Sequence, residues 1–478
     1  MRDIHLNFIE SRLGEKLFVQ DKGIVRTLFS GKYLRKKAAL HGLLTFIICL
    51  WIGFANAQQI PAQQMPLSLK EAIALAKSQN IAVRVAQQEE RATDEDVKDA
   101  KNSILPQIST GAGYRRDTKL TLFQNGLHNA ISIDPPPTAN EAYLGTQAEF
   151  NLYAGHKTRA LIQERQALKE LAMINSRDQA GTSSLQLVLQ YLDLVKLSSQ
   201  QKLIADQAER ARTRVKTINS LYKNERVTRS DVLRAELLLA SVLLDSVRNH
   251  NDIVIANNKI TVLLNLPDNV QIMPSDSANM NRPAPEELDR LAGNGIQAAY
   301  PVQRTLAQQD VQAARLIGIK GNARPNVSLI SAYGFNYPNY LPFPPVNQLY
   351  SIGYVGIKAT YNISSLYQNT HKVAAAAIRL EEIRQNQQFV RDNTREKVKS
   401  LVIRYNESLN RVMVMQKSIV QATVNYRIVN TKYFNQLALL TDLLDADNLF
   451  QEARYNLIGA ETEASLIYYN LLYTTGNL

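Results

Sequence analysis

The sequence predicts a mainly α protein with a membrane β-barrel part, built by duplicating a module of helix, β-hairpin and long coiled-coil helix. Three observations carry this. The phrase "YKNERVTRSDVLRAE" at Tyr222–Glu236 returns 211 residues later as "YFNQLALLTDLLDAD" at Tyr433–Asp447, with Tyr, Asn, Asp, Leu and Ala matched outright. Two long stretches run with almost no Gly or Pro: only Gly181 between His156 and Tyr222, and neither residue between Ser364 and Phe434. Several segments of about ten residues alternate apolar and polar side chains, the mark of a membrane β-barrel strand.

The N-terminus reads as an export signal. "RKK" at Arg35–Lys37 precedes the apolar run Leu43–Phe54 and then "ANA" at Ala55–Ala57, a basic region, short hydrophobic core and small-residue cleavage site. That run is shorter than the roughly 20 residues a spanning helix needs. Residues 1–57 hold nine Lys/Arg and four Asp/Glu of a chain with net charge +12, leaving a mild +7 on the remainder. The surplus is spread along the chain, which argues against a nucleic acid partner. The only cysteine, Cys49, and the only tryptophan, Trp51, also fall in this segment, so the mature chain has no disulfide and no thiolate chemistry.

The first repeat, 58–266, opens with a helix over Leu67–Ile104. A β-hairpin over about 106–153 follows, beginning at "LPQIS" and ending at "EFNLYAG". A long helical hairpin over about 155–266 then runs from His156 to Tyr222 and returns from Val227 to Leu266. The Pro-rich linker 267–287 leads to the second repeat, 288–478, with its own helix, a hairpin over about 325–363 and a helical hairpin over about 365–475.

Asn151 and Asn362, at equivalent strand-to-helix junctions, are 211 residues apart, as are Tyr222 and Tyr433. The two long helices therefore have one length, and the length variation lies in the strand–loop–strand part, where insertions cost little. At 1.5 Å per residue each helix is a rod of roughly 100 Å. Apolar spacing at Leu185, Val188, Leu192 and Val195, broadened by Leu189, predicts a coiled-coil seam.

The strands argue against a purely helical bundle. In "YLGTQAEFNLYAG", Leu144, Ala148, Phe150 and Leu152 share one face, and Gln147, Glu149 and Asn151 the other. Val327, Leu329, Tyr333, Phe335 and Tyr337 form a second apolar face, and Val355, Ile357, Ala359, Tyr361 and Ile363 a third. Each chain offers four strands, membrane barrels begin at about eight, and open sheet edges are not tolerated in lipid. Other copies must complete the barrel, to eight strands in a dimer or twelve in a trimer.

No catalytic signature is present. The histidines are scattered, and H-E-x-x-H, P-loop and G-x-S-x-G patterns are absent. "GAGYRR" at Gly111 lies in a strand rather than at a phosphate-binding turn. Neither enzymatic activity, nor a cofactor, nor a metal is expected.

The order and spacing of "LSLKEAIALAKSQN", "LPQIS", "EFNLYAGHKTRA" and the two tip phrases resemble the TolC-type outer membrane factors, across Leu67 to Leu478. The resemblance implies a homotrimer with a 12-stranded β-barrel in outer membrane lipid, continued by an α-helical barrel through the periplasm. It implies a passive exit duct of a tripartite efflux or type I secretion system, working with a periplasmic adaptor protein and an inner membrane RND or ABC transporter. It also implies that Asp442 and Asp445, on one helix face, form acidic rings at the periplasmic gate that set ion selectivity. Asp231, Ser230 and Tyr433 match contacts that close the tip. The sequence departs from that pattern at Glu225 and Gln436, where the family usually has glycine, and at Ala438, where some members carry a basic residue. Asp231 and Asp442 are also candidate helix N-caps. The rival reading, a periplasmic coiled-coil adaptor or structural protein without a barrel, leaves the amphipathic strands unexplained.

Overall fold

The computed structural model describes residues 63–123, 126–134, 139–276, 285–342 and 346–478. The expected signal segment 1–57 lies outside the described residues.

The first copy runs β1 (Gln63–Leu67), α1 (Leu69–Gln79), α2 (Ile81–Asn102), β2 (Gln107–Arg116), β3 (Leu120–Phe123), β4 (Ala130–Ile133), β5 (Asn140–Tyr153), α3 (Lys157–Lys223) and α4 (Arg229–Leu263). The second runs β6 (Val270–Pro274), α5 (Pro285–Ala298), α6 (Tyr300–Gly321), β7 (Asn326–Tyr337), β8 (Tyr350–Thr360), a single turn α7 (Ser365–Gln368), α8 (Thr370–Phe434) and α9 (Leu440–Thr474). The helix read from sequence as continuous over Leu67–Ile104 is broken at Asn80. There Asn80 caps α2 by accepting from the N–H groups of Ala82 and Val83, while its amide donates to the Leu263 carbonyl at 2.8 Å. A cap bonded across to another helix outweighs the propensity of the flanking residues. Ala299 breaks the second copy at the equivalent place, with Pro301 in the first turn of the next helix, where its missing N–H has no helical partner to lose.

The linker contains a strand that its Pro-rich composition hid. β6 pairs in parallel with β1, and the Asn257 side chain bonds both the N–H and the C=O of Ile272. Ile272 and Leu67 thereby enter the largest core, with Leu69, Ala72 and Ala76 of α1, Leu187, Val188, Tyr191, Leu192, Leu194 and Val195 of α3, and Ile260 of α4. The α3 seam is thus wider than the heptad reading and is shifted, since Leu189 is exposed while Leu187, Tyr191 and Leu194 are buried. The β1–β6 ladder explains the shift, because it covers that side of the helix.

The membrane-type strands form one antiparallel sheet in the order β2–β5–β7–β8. Register places Ile108 opposite Ala148, Leu144 opposite Phe335, Phe150 opposite Leu329, and Leu329 opposite Ile357, so the apolar positions of all four strands share one face. A register shift between Asn151 and Tyr153 leaves Leu152 without a cross-strand partner and sets Tyr153 opposite Val327, a bulge that ends the alternation one residue early. β3 and β4 form a small hairpin inside the loop expected between the first two strands. At the strand-to-helix junction, Gly155 and Gly321 meet backbone to backbone. A Cβ on either would lie 2.7 Å from the other's carbonyl oxygen, so both sites exclude any side chain.

Both helical hairpins turn in the same way. Glu225 (φ 59°) and Gln436 (φ 61°) adopt the left-handed conformation. Arg226 N–H reaches the Leu221 carbonyl and Leu437 N–H the Lys432 carbonyl, the six-to-one bond of a Schellman motif. The turn therefore keeps a glycine-type backbone without glycine. Glu225→Gly and Gln436→Gly are each expected to stabilise the tip by about 0.5–1 kcal/mol by relieving left-handed strain, seen as slower hydrogen exchange in the flanking helical turns.

Candidate functional site

The two hairpin turns bring together residues 211 apart in sequence. Tyr433, at the end of α8, is buried in a cluster with Ile218 of α3, Val232 and Ala235 of α4, and Leu440, Leu443 and Leu444 of α9. The two copies thus meet at their tips around one shared apolar core, and the candidate residues stand around its edge.

Asp231 is the third residue of α4 rather than its cap. Thr228 caps the helix, accepting from Asp231 N–H at 3.2 Å, while the Asp231 carboxylate accepts from Thr228 N–H at 3.0 Å and from its hydroxyl at 2.7 Å, a complete capping box. Asp442 holds the matching place in α9 and accepts from Leu439 N–H at 3.0 Å. Leu439 has no side-chain acceptor, so the second copy keeps only half of the box. Both carboxylates sit in a first helical turn, where the helix dipole favours negative charge. Capping explains why these positions are acidic and leaves one face of Asp442 open to solvent.

Asp445 is exposed one turn further along and has no hydrogen-bond or ion-pair partner among the described residues. Spaced three apart, Asp442 and Asp445 lie along one side of α9. Ser230 is exposed in the first turn of α4. The Tyr433 hydroxyl is buried and has no hydrogen-bond partner among the described residues. Burial first, and then the charge of Asp231, raise its pKa above the ordinary phenol value, so it remains a proton donor.

Sequence reasoning missed the most deeply buried ion pair between the copies among the described residues. Asp447, only 2% exposed, receives Arg214 at 2.8 Å and Arg210 at 3.2 Å, which ties α9 of the second copy to α3 of the first. Arg210 also lies over the rings of Tyr426 and Phe450, which stack 5.5 Å apart. Arg454 also lies over the Phe450 ring and pairs with Asp206 at 3.2 Å. Two clues were present in the sequence: Arg210 and Arg214 stand four apart on one helix face, and Asp447 recurs in kind at Glu236. The partners are 233 residues apart, and that pairing is not legible from spacing.

At the far end of the rods, the apolar face of the sheet is bare. Ile108, Leu144, Tyr333 and Phe335 are exposed, as are Val355 (74%) and Ile357 (71%). The edges β2 and β8 each have one unpaired side. No described helix is long and apolar enough to cross a membrane.

No protein-family model and no curated protein matches the chain. Solved structures do match. The outer-membrane channel OprN superposes with a TM-score of 0.70 at 16% identity, over 86% of this chain and 90% of its own. The outer membrane protein VceC of Vibrio cholerae gives 0.69 at 15%, over 85% and 96%. The Campylobacter jejuni CmeC outer membrane channel gives 0.68 at 14%, over 86% and 85%. The rods, the duplicated hairpins and the four-stranded sheet described above are therefore the fold of these outer membrane channels, held by a sequence only 14–16% identical to theirs.

Proposed function

We propose, from this shared fold, that the chain is the outer membrane channel of a tripartite efflux or type I secretion system. It acts as a passive exit duct across the periplasm and the outer membrane. One observation carries the reading most: a four-stranded sheet with an exposed apolar face and two unpaired edges surmounts a pair of roughly 100 Å helices. A soluble monomer does not leave such a face bare, and lipid does not accept such edges. Three copies supply twelve strands, an even number in the range of closed membrane barrels. The helices, carried on the same symmetry, then prolong the pore. A periplasmic adaptor and an inner membrane transporter are the partners such a duct needs, because a passive duct supplies no energy of its own.

In the trimer, Asp442 and Asp445 form two acidic rings at the narrow periplasmic mouth, and Asp231, Ser230 and Tyr433 lie at the contacts that hold neighbouring helical hairpins together. Rings of carboxylates attract cations and repel one another, so they both select and constrain. The test is planar-bilayer conductance of the purified oligomer. The parent protein is expected to be cation-selective and blocked by trivalent cations. Asp442→Asn with Asp445→Asn is expected to lose most of both properties while the conductance of the barrel persists. Unchanged selectivity in that variant removes the acidic-ring assignment; absence of any conductance from the parent removes the duct.

A further inference from the structure

On its helical side the sheet ends in a belt of positive charge. Residues 311–380 hold both strands of the second copy and the helix junctions on either side of them, and they contain six Lys/Arg and no Asp or Glu. At the matching junction of the first copy, where Lys157 and Arg159 begin α3, no acid stands between Phe150 and Gln163. Lys157, Arg159, Lys320, Arg324 and Lys372 are exposed and have no ion-pair partner among the described residues. Of the acids on the flanking elements, Glu164 is bonded to Arg315 at 2.7 Å and Glu149 stands on the other face of β5. Asp99 lies one turn before Ser103 on α2, with Lys101 two residues on.

A cavity of about 500 Å³ opens within this belt, between the end of α2 and the start of α3, and no described acid lines it. Tyr153, His156 and Arg159 give it polar groups, and Ile104, Leu152 and Ile162 an apolar wall. Arg159 is exposed, so an occupant can reach its guanidinium. Arg324 donates to His156 Nδ1, which lies 3.4 Å from the Tyr153 hydroxyl, so a second cation stands at the rim. The wall continues the apolar face of the sheet: Tyr153 is opposite Val327, which shares that face with Leu329 and Phe335, and Ile104 and Leu152 are half exposed. Cations clustered beside apolar surface repel one another, and anionic headgroups at a membrane surface relieve that repulsion. A phenol at the same level suits the boundary between headgroup and acyl chain. Inorganic phosphate would answer the charge and leave the apolar wall wet, and a neutral glyceride would do the reverse. An anionic phospholipid answers both.

We propose that the cavity and its belt bind an anionic phospholipid of the periplasmic leaflet, with its phosphate on Arg159 beside Arg324 and the start of its acyl chains along Leu152, Ile104 and Ile162. Guanidinium forks suit phosphate oxygens. A headgroup held there fixes the level at which the sheet leaves the bilayer. The inference rests on the membrane placement of the sheet and goes beyond the duct reading, which needs no particular lipid.

Native mass spectrometry of the full-length oligomer in non-ionic detergent tests this, with dioleoyl phosphatidylglycerol, dioleoylglycerol and glycerol 3-phosphate as separate probes. Phosphatidylglycerol is expected to bind saturably, roughly tenfold more tightly than dioleoylglycerol, and glycerol 3-phosphate is expected not to displace it. Arg159→Gln should weaken phosphatidylglycerol roughly fivefold, and Lys157→Gln added to it roughly 25-fold in total. Lys202→Gln with Lys216→Gln makes the same charge change at exposed positions further along α3 and should keep parent affinity. Equal binding of lipid and glyceride, displacement by glycerol 3-phosphate, parent-like affinity in the Lys157/Arg159 double variant, or equal loss in both double variants overturns the proposal. Planar-bilayer conductance of the same preparations separates the two readings: conductance without lipid selectivity rejects the belt alone, and absence of conductance rejects the duct.

Discussion

Val355→Arg is expected to abolish assembly of the protein in the outer membrane. Val355 is the midpoint of β8, is 74% exposed in the single chain, and shares its face with Ile357, Leu329 and Phe335 through the register of β7 and β8. If that face meets hydrocarbon, an arginine at the bilayer midplane costs about 2–4 kcal/mol, and every copy in a shared barrel carries the same penalty. The heat-sensitive oligomer seen on a semi-native gel should disappear, and urea should unfold the barrel in lipid vesicles at lower concentration. The control is Gln147→Arg, one row away on the opposite face of the sheet through its pairing with Ala332; facing a water-filled lumen, it should assemble like the parent. Equal tolerance of both substitutions would remove the membrane assignment of the sheet, and the barrel with it.

Asp447→Ala should cost about 3–5 kcal/mol at the tip, because it strands buried guanidinium groups rather than merely deleting a contact. Among the described residues Arg214 has no other acid within 4.0 Å, and Arg210 keeps its ring contacts. The loss should appear as faster hydrogen exchange in the first turns of α9 and as new protease cleavage near Tyr433, with the distant core around Tyr191 and Ile260 unaffected. Adding Arg210→Met and Arg214→Met to the Asp447→Ala chain should recover most of the loss, since an apolar replacement of the whole cluster removes the uncompensated charge. Without such recovery, the effect of Asp447→Ala would be one of packing and not of charge. The pair does not need to favour folding overall. Its role is to set how the second copy's returning helix registers against the first copy's long helix.

The candidate site was half legible. Asp231 and Asp442 stood out because the same phrase recurs at a spacing of 211, and their capping geometry follows from local sequence: Thr228 three residues before Asp231, Leu439 three before Asp442. Ala438, where a basic residue would have drawn attention, hid the fact that the cationic partners of this tip come from α3 instead. Glu225 and Gln436 looked like departures that would change the turn. Their backbone is left-handed all the same, because two hydrogen bonds to the preceding helical turn determine it more strongly than side-chain preference does.

Amino-acid order alone determined the duplication, the nearly equal length of the two rods and the apolar faces of β5, β7 and β8. All three rest on periodicity, which the chain carries locally and which the backbone's 3.6-residue and two-residue repeats translate directly into shape. Tertiary structure alone decided the break at Asn80, the pairing of β1 with β6, the displacement of the α3 seam from Leu189 to Tyr191, and the meeting of Arg214 with Asp447. In each of these a side chain or strand satisfies a partner between 100 and 240 residues away. Contacts of that span depend on how whole elements dock, so no local pattern announces them.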